Sequence, residues 1–322
     1  MSNPPELQLR VARKRVEAQD ICSFELVEPQ GRPLPAFTAG AHLDVRASVG
    51  TVRQYSLCQP FDQVGRYVIA VLREPASRGG SRAMHDDVRE GDLLTVSAPK
   101  NHFELAPGAR KSLLLAGGIG VTPILCMAET LARTGAAFEM HYCVRSHERA
   151  AFVGQMQAAA FASSVHLHCD DGPAEQRVDL QAILDQPDEH THLYVCGPKG
   201  FMDATLSTAR AKGWTEDRIH FEYFSAEVVK STTDADFDVV LASSGRVLHV
   251  TRDQTVVQAL AAAGVEVPTS CEQGVCGTCL TRVIEGVPDH KDMYLTPAEQ
   301  ALNDQFTPCC SRAKSKRLVL DL

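Results

Sequence analysis

The sequence has no surplus of basic residues: 32 Lys and Arg stand against 40 Asp and Glu, a net charge of −8 with a pI near 5.8. That balance argues against nucleic acid or an anionic membrane as the main partner, since both reward a basic face. No apolar run approaches the roughly 20 residues that a membrane-crossing helix requires. The opening MSNPPELQLR lacks the basic stretch and apolar run of a signal peptide, so a cytoplasmic location is expected. Internal repeats and low-complexity tracts are missing, and no pairing of a nucleophile with a base stands out. What remains is an ordinary soluble composition, 44% hydrophobic and 22% charged, in a chain of 322 residues. Such a length implies two or three domains rather than one core.

Three patterns follow one another. The first hundred residues alternate apolar and polar positions, as in Cys22–Val27 and Tyr67–Leu72, with turn signals such as Pro29-Gln30-Gly31-Arg32-Pro33 between them. Short strands so spaced predict an antiparallel barrel. From Lys111 the pattern becomes continuous apolar runs, at Leu113–Ala116, Phe138–Val144, Val165–Cys169 and Leu193–Cys196, separated by helical stretches. This predicts a parallel sheet covered by helices. A small polar stretch ending at Ala235 reads as a linker. Beyond it come strands at Phe237–Leu241 and Val247–Val250, a helix through Gln258–Ala263, and a last strand at Arg317–Leu320.

Eleven cysteines without an export signal point to metal binding rather than disulfides. Cys271, Cys276 and Cys279 have the C-x4-C-x2-C spacing of a plant-type 2Fe–2S site, which takes its fourth thiolate from further along the chain. Cys309 or Cys310 supplies it, and Cys309 is the expected ligand. Gly274 and Gly277 suit a tight loop around such a cluster. A four-thiolate zinc site is the alternative, but structural zinc usually uses two closely spaced cysteine pairs.

Two further segments read as flavin contacts. Arg53-Gln54-Tyr55-Ser56 lies on a strand, where a Tyr ring can stack on an isoalloxazine and an Arg can meet a phosphate. Arg78-Gly79-Gly80-Ser81 joins a strand to a helical stretch, a turn that offers backbone N–H groups and an Arg to a phosphate. Each, taken alone, is compatible with an ordinary strand or turn.

Gly117-Gly118-Ile119-Gly120-Val121-Thr122-Pro123 departs from the G-x-G-x-x-G fingerprint, yet it too joins a buried strand to a helix. Glycines there admit a pyrophosphate, and Pro123 suits a first helical turn. Cys196-Gly197-Pro198 ends another apolar strand, at the carboxyl end where ligands bind in such sheets, so Cys196 is a candidate neighbour of a nicotinamide. The plain alternative is a small buried thiol.

Taken in order, these motifs and His220-Phe221-Glu222-Tyr223-Phe224 resemble the phthalate dioxygenase reductase family, within the ferredoxin–NADP reductase superfamily, over nearly the whole chain. The resemblance implies a multi-domain protein: an FMN-binding β-barrel over 1–106, an NAD-binding α/β domain over 107–226, a linker at 227–235 and a β-grasp 2Fe–2S ferredoxin domain over 236–322. It assigns Arg53, Gln54, Tyr55, Ser56, Ala70 and Val71 to the flavin, and Arg78, Gly79, Gly80 and Ser81 to its phosphate. Thr122 would lie beside the flavin ring, Phe224 would cover the face where the nicotinamide enters, and Gly117, Gly118, Gly120, Cys196, Gly197 and Pro198 would meet the nucleotide. NADH is the implied donor, although Arg145 and Ser146 leave room for the 2′-phosphate of NADPH.

The implied activity is NADH-dependent flavin and iron–sulfur electron transfer. FMN stands between a two-electron donor and a one-electron acceptor, while the protein positions and tunes it. The implied partner is a Rieske-type terminal oxygenase of aromatic catabolism, with a haem-thiolate monooxygenase as the alternative. The chain is expected to be a monomer.

Overall fold

Alternating burial builds the first sheet of the computed structural model, which describes residues 6–47, 51–63, 65–75, 77, 79–185, 188–224 and 234–322. Strands β1 (Glu6–Ala18), β2 (Ile21–Val27), β3 (His42–Arg46), β4 (Val52–Ser56), β5 (Arg66–Leu72) and β6 (Leu93–Ser97) pair antiparallel in the order β4-β3-β6-β1-β2-β5. Beyond β4, Leu57 bridges Ile69 of β5, and the Cys58 N–H donates to Val68 O at 3.0 Å. These links join the two edges of the sheet into the expected barrel. Its interior holds Leu9, Phe24, Leu26, Leu43, Tyr67 and Ile69, all buried. Each such side chain contributes roughly 1.5–3 kcal/mol of burial. The helix α1 (Gly80–Asp86) connects β5 to β6.

The second sheet is wholly parallel, in the order β11-β10-β7-β8-β9. Its strands are β7 (Lys111–Gly117), β8 (Ala137–Val144), β9 (Val165–Cys169), β10 (Thr191–Cys196) and β11 (Ile219–Glu222). The intervening helices are α2 (Val121–Thr134), α3 (Val153–Ala158), α4 (Leu180–Ile183) and α5 (Lys199–Ala211). On one face, Met202, Leu206 and Ala209 of α5 pack with Trp214 against Leu113, Leu115, Leu193 and Val195. On the other, α2 is buried nearly all round, since its core also takes in Ile21, Ala39, Cys58, Ala70 and Phe103 from the barrel. Tyr194 links the two polar frameworks by accepting the Ala106 N–H on its hydroxyl at 2.7 Å. Barrel and parallel sheet thus share one core and belong to one unit, Met1–Phe224.

The second unit, Ser225–Leu322, has a mixed sheet in the order β13-β12-β18-β14-β16. It comprises β12 (Phe237–Leu241), β13 (Val247–Val250), α6 (Val256–Ala262), β14 (Thr281–Glu285), β15 (Pro288–Asp289), α7 (Pro297–Leu302), β16 (Gln305–Phe306), β17 (Arg312–Ala313) and β18 (Arg317–Leu320). Val256, Ala259 and Leu260 of α6 pack on Phe237, Val239, Val283, Phe306 and Leu318, the β-grasp arrangement. This helix starts two residues before the expected Gln258, because Thr255 and Gln258 form a reciprocal capping box that sets its N-terminus. Most of the expected linker at 227–235, through residue 233, lies outside the described residues.

A buried arginine ties this unit together. The guanidinium of Arg312, 7% exposed, donates to the carbonyls of Gln254 at 2.9 Å and of Ala235 and Thr251 at 3.1 Å each. It also lies 5.2 Å from the centre of the Phe237 ring. One side chain therefore ties the segment at Ala235 to the turn Thr251–Gln254 through their carbonyls. Replacing Arg312 with Met keeps the stem but takes the guanidinium donor from the Gln254 and Ala235 carbonyls, while Thr251 O keeps the Gln254 N–H, and should lower stability by about 2–4 kcal/mol. A chemical denaturation curve of the full chain reads this as an earlier transition of the second unit; an unshifted curve would refute the account.

Candidate functional site

Strand alternation sets the flavin motif. Arg53 and Tyr55 share one face of β4, and Gln54 and Ser56 the other. The structure brings the two flavin motifs together: a Cβ on Gly80 would sit 2.7 Å from Arg53 Cγ, so the Arg53 stem lies directly over the glycine turn. At that turn Gly79 has φ 105°, and Ser81 Oγ donates to Ser77 Oγ at 3.0 Å. Arg78 lies outside the described residues. The Tyr55 hydroxyl is buried with no hydrogen-bond partner among the described residues, and burial pushes its pKa well above the usual tyrosine value. Such an orphan, beside a glycine cradle that holds an arginine, fits a polar planar group carrying a phosphate. Ser56, Ala70 and Val71 are buried as well. Gln54 points elsewhere, donating to Asp44 Oδ1 at 3.0 Å and to His42 Nε2 at 3.1 Å.

The nucleotide turns interlock. Cys196 ends β10 in register with Ala116 of β7 on one side and Glu222 of β11 on the other. A Cβ on Gly120 would fall 2.2 Å from the Cys196 carbonyl oxygen, and one on Gly197 would fall 2.9 Å from the Cα of Gly117. A Cβ on Gly117 would meet Phe201 and Pro198, whereas nothing stands within 4 Å of that position on Gly118. The glycines thus divide: Gly117, Gly120 and Gly197 let two turns pack, and Gly118 faces open space. Thr122, buried in the first turn of α2, donates its hydroxyl to Ile119 O at 3.0 Å. Phe224 is 37% exposed just past β11.

Glu222 escaped the sequence reading as a site residue. The residue is half-buried, yet its Oε2 is shut from solvent with no hydrogen-bond partner among the described residues. Burial raises its carboxyl from the usual 4.5 to about 8, so it holds a proton at neutral pH. Cys196, against it, is pushed well above the usual thiol value by burial first and by Glu222 second. The only sequence signal was an acidic residue at the end of the strand Ile219–Glu222.

The cysteines meet in the loop between α6 and β14 and in the segment before β17. Cys271, Cys276, Cys279 and Cys309 are all buried. Cys271 Sγ lies within hydrogen-bond reach of the Cys276 and Cys309 sulfurs, and Cys309 Sγ within reach of those of Cys271, Cys279 and Cys310. Those contacts, with the backbone N–H groups of Gln273 and Val275, hold the Cys271 thiol far below its usual value. Cys310 differs: its sulfur lies 3.2 Å from Thr307 Oγ1 and 3.8 Å from Ser311 Oγ. The loop turns through left-handed residues at Glu272, Gly274 and Gly277. A Cβ on Gly274 would fall 2.4 Å from Cys310 Sγ, and one on Gly277 would fall 2.2 Å from the Tyr294 ring. Four converging buried thiols are the donor set a 2Fe–2S cluster requires.

Because the folded carboxyl of Glu222 is raised, its stabilising contribution is fully present below the unfolded value near 4.5 and is lost as pH rises through about 8. Stability should therefore fall across that window by about 1.4 kcal/mol per pH unit from this group. Denaturation midpoints of the parent and of Glu222→Gln, taken from pH 5 to 9, test it: the substitution should flatten the slope, and equal slopes would refute the assignment.

Residues 114–207 match the oxidoreductase NAD-binding domain family, and residues 239–314 match the 2Fe–2S iron–sulfur cluster binding domain family. The chain is 52% identical to a vanillate O-demethylase oxidoreductase of Pseudomonas sp. (strain HR199 / DSM 7063), over 98% of this chain and 100% of that one. It matches the structure of phthalate dioxygenase reductase, described as modular for electron transfer from pyridine nucleotides to [2Fe–2S], with a TM-score of 0.77 and 40% identity over 98% of both chains. An intact type IV self-sufficient cytochrome P450 monooxygenase matches with a TM-score of 0.84 and 38% identity, over 98% of this chain but 41% of that one. The chain belongs to the phthalate dioxygenase reductase family: it is an NADH-dependent flavin and iron–sulfur oxidoreductase, with FMN and a 2Fe–2S cluster as cofactors, and the reductase component of an oxygenase system.

Proposed function

We propose that this protein is the reductase of a Rieske-type oxygenase that acts on a vanillate-like aromatic compound. The observation that carries the electron-transfer half is the convergence of four buried thiols at Cys271, Cys276, Cys279 and Cys309. The vanillate-like substrate class rests on the full-length likeness to the vanillate O-demethylase oxidoreductase.

FMN, when bound, supplies the conversion between two-electron and one-electron transfer. This chain's own residues do the rest. Arg53, Tyr55, Ser56, Ala70 and Val71 hold the flavin, and Gly79, Gly80 and Ser81, together with Arg78, hold its phosphate. Gly118 leaves room for the pyrophosphate, Cys196 and Thr122 border the nicotinamide, and Phe224 covers the entry face. Cys309, in reach of Cys271 and Cys279, is the fourth cluster ligand. The corresponding divisions of the chain are 1–106 for the flavin, 107–226 for the nucleotide and 236–322 for the cluster. We assign the protein to the cytoplasm as a monomer; no helix among the described residues is long and apolar enough to cross a membrane.

Energetics permit a Rieske acceptor. Plant-type clusters lie near about −400 mV and Rieske centres at about −150 mV or above. A gap of roughly 250 mV, at ~59 mV per decade for one electron, drives transfer by about four decades. Likeness to a cytochrome P450 monooxygenase favours a second reading, delivery to a haem protein. Rates of reduction of a purified Rieske oxygenase and a purified P450, measured side by side, discriminate the two.

Cys276→Ser should abolish reduction of the oxygenase while sparing NADH oxidation by ferricyanide. Loss of both activities in folded, flavin-loaded protein would contradict this order of transfer. At limiting coenzyme, NADH should outperform NADPH; the reverse would shift the role of Arg145 and Ser146 to holding a 2′-phosphate.

A further inference from the structure

The cysteine loop has a wall that belongs to none of its ligands. The Met293 N–H donates to Gly274 O at 3.0 Å, and a Cβ on Gly274 would fall 2.9 Å from the Cα of Asp292. The Asp292 side chain is fully buried and its carboxylate is densely held. It accepts from the Leu295 N–H at 2.8 Å, from Ser311 Oγ at 3.2 Å and from His290 Nδ1 at 3.3 Å. Ser311 Oγ in turn lies 3.0 Å from Thr307 Oγ1, which lies 3.2 Å from Cys310 Sγ beside the ligand Cys309. A polar chain therefore runs from Asp292 to the residue next to a ligand.

An asparagine would fill nearly the same volume but offer one acceptor oxygen where the carboxylate uses two, Oδ2 for Leu295 and Oδ1 for Ser311 and His290. The three donors offset the desolvation of a buried carboxylate, so the wall is built to hold a negative group beside the cysteine loop. We propose that Asp292 sets the reduction potential of the cluster without touching it: its fixed negative charge opposes the arrival of an electron and keeps the reduced cluster a strong donor. The low dielectric of the site lets such a charge act over several ångströms. His290, 7% exposed at its side chain and with no hydrogen-bond partner for Nε2 among the described residues, is the carboxylate's immediate polar neighbour. Lys291 is committed to Asp234, and Arg312 to backbone carbonyls, so neither neutralises Asp292.

The inference rests on the reading that Cys271, Cys276, Cys279 and Cys309 hold the cluster. An EPR-monitored redox titration of the full-length, cluster-loaded protein tests it. Asp292→Asn should keep its iron content and g-values but raise the midpoint, shifting the reduction equilibrium about tenfold, or ~59 mV for one electron. A full iron content with an unchanged midpoint would overturn the proposal. Should the Asn variant lose its iron, Ser311→Ala decides instead, because it removes a donor from the carboxylate and leaves its charge less compensated. A lowered midpoint there supports the proposal, and an unchanged one overturns it. Absence of a rhombic reduced 2Fe–2S signal in the parent protein would overturn the ligand reading itself.

Discussion

Close approach of glycine backbone to its neighbours is the constraint on which both functional regions depend. In the first unit the turn after β7 rests on the turn after β10, with the Cys196 carbonyl occupying the space a Gly120 side chain would need. In the second, the cysteine loop bends through left-handed residues and lies so close to Cys310, Asp292 and Tyr294 that no side chain fits at Gly274 or Gly277. Protein interiors do not yield by ångströms, so an alanine at these points would displace the groups that carry the chemistry. Of Gly117, Gly118, Gly120 and Gly197, only Gly118 faces open space.

A second theme is polar atoms held in unfavourable surroundings. Buried polar groups are nearly always paired, and exceptions call for an explanation. Among the described residues, Tyr55 Oη and Glu222 Oε2 are two such exceptions, and both belong to the flavin and nucleotide region. Tyr55 lies on the same strand face as Arg53, whose stem covers the Gly80 turn. Glu222 is a neutral carboxylic acid packed against Cys196, a group that can donate a hydrogen bond as well as accept one. Arg312 shows the contrasting case, a buried charge whose donors mostly find carbonyls and whose role is to bind distant stretches of chain.

The barrel and the parallel sheet illustrate how a shared core changes the local rules. A helix with one exposed face should show an apolar stripe, yet α2 buries residues almost all round because it is covered on two sides, by its own sheet and by Ile21, Ala39, Cys58, Ala70 and Phe103. This explains why Val121–Ala128 reads as a nearly continuous apolar run.

Strands, helices and their order were legible from the sequence because hydrophobic periodicity is a local property of the chain. Runs at Phe237–Leu241, Val247–Val250 and Arg317–Leu320 coincide with observed strands, and the spacing of Cys271, Cys276 and Cys279 declares its chemistry without a fold. The sequence by itself therefore determined the element types, the kind of redox centre and the family. Tertiary structure alone decided what depends on segments far apart in the chain. It turned Gln54 toward Asp44 and His42, away from Arg53 and Tyr55. It set Cys309 rather than Cys310 in reach of both Cys271 and Cys279. It buried the Glu222 carboxyl beside Cys196, and it placed Asp292 against the cysteine loop. The reason is physical: periodicity reports which face of an element is apolar, whereas burial, close approach and electrostatic environment belong to the packed whole.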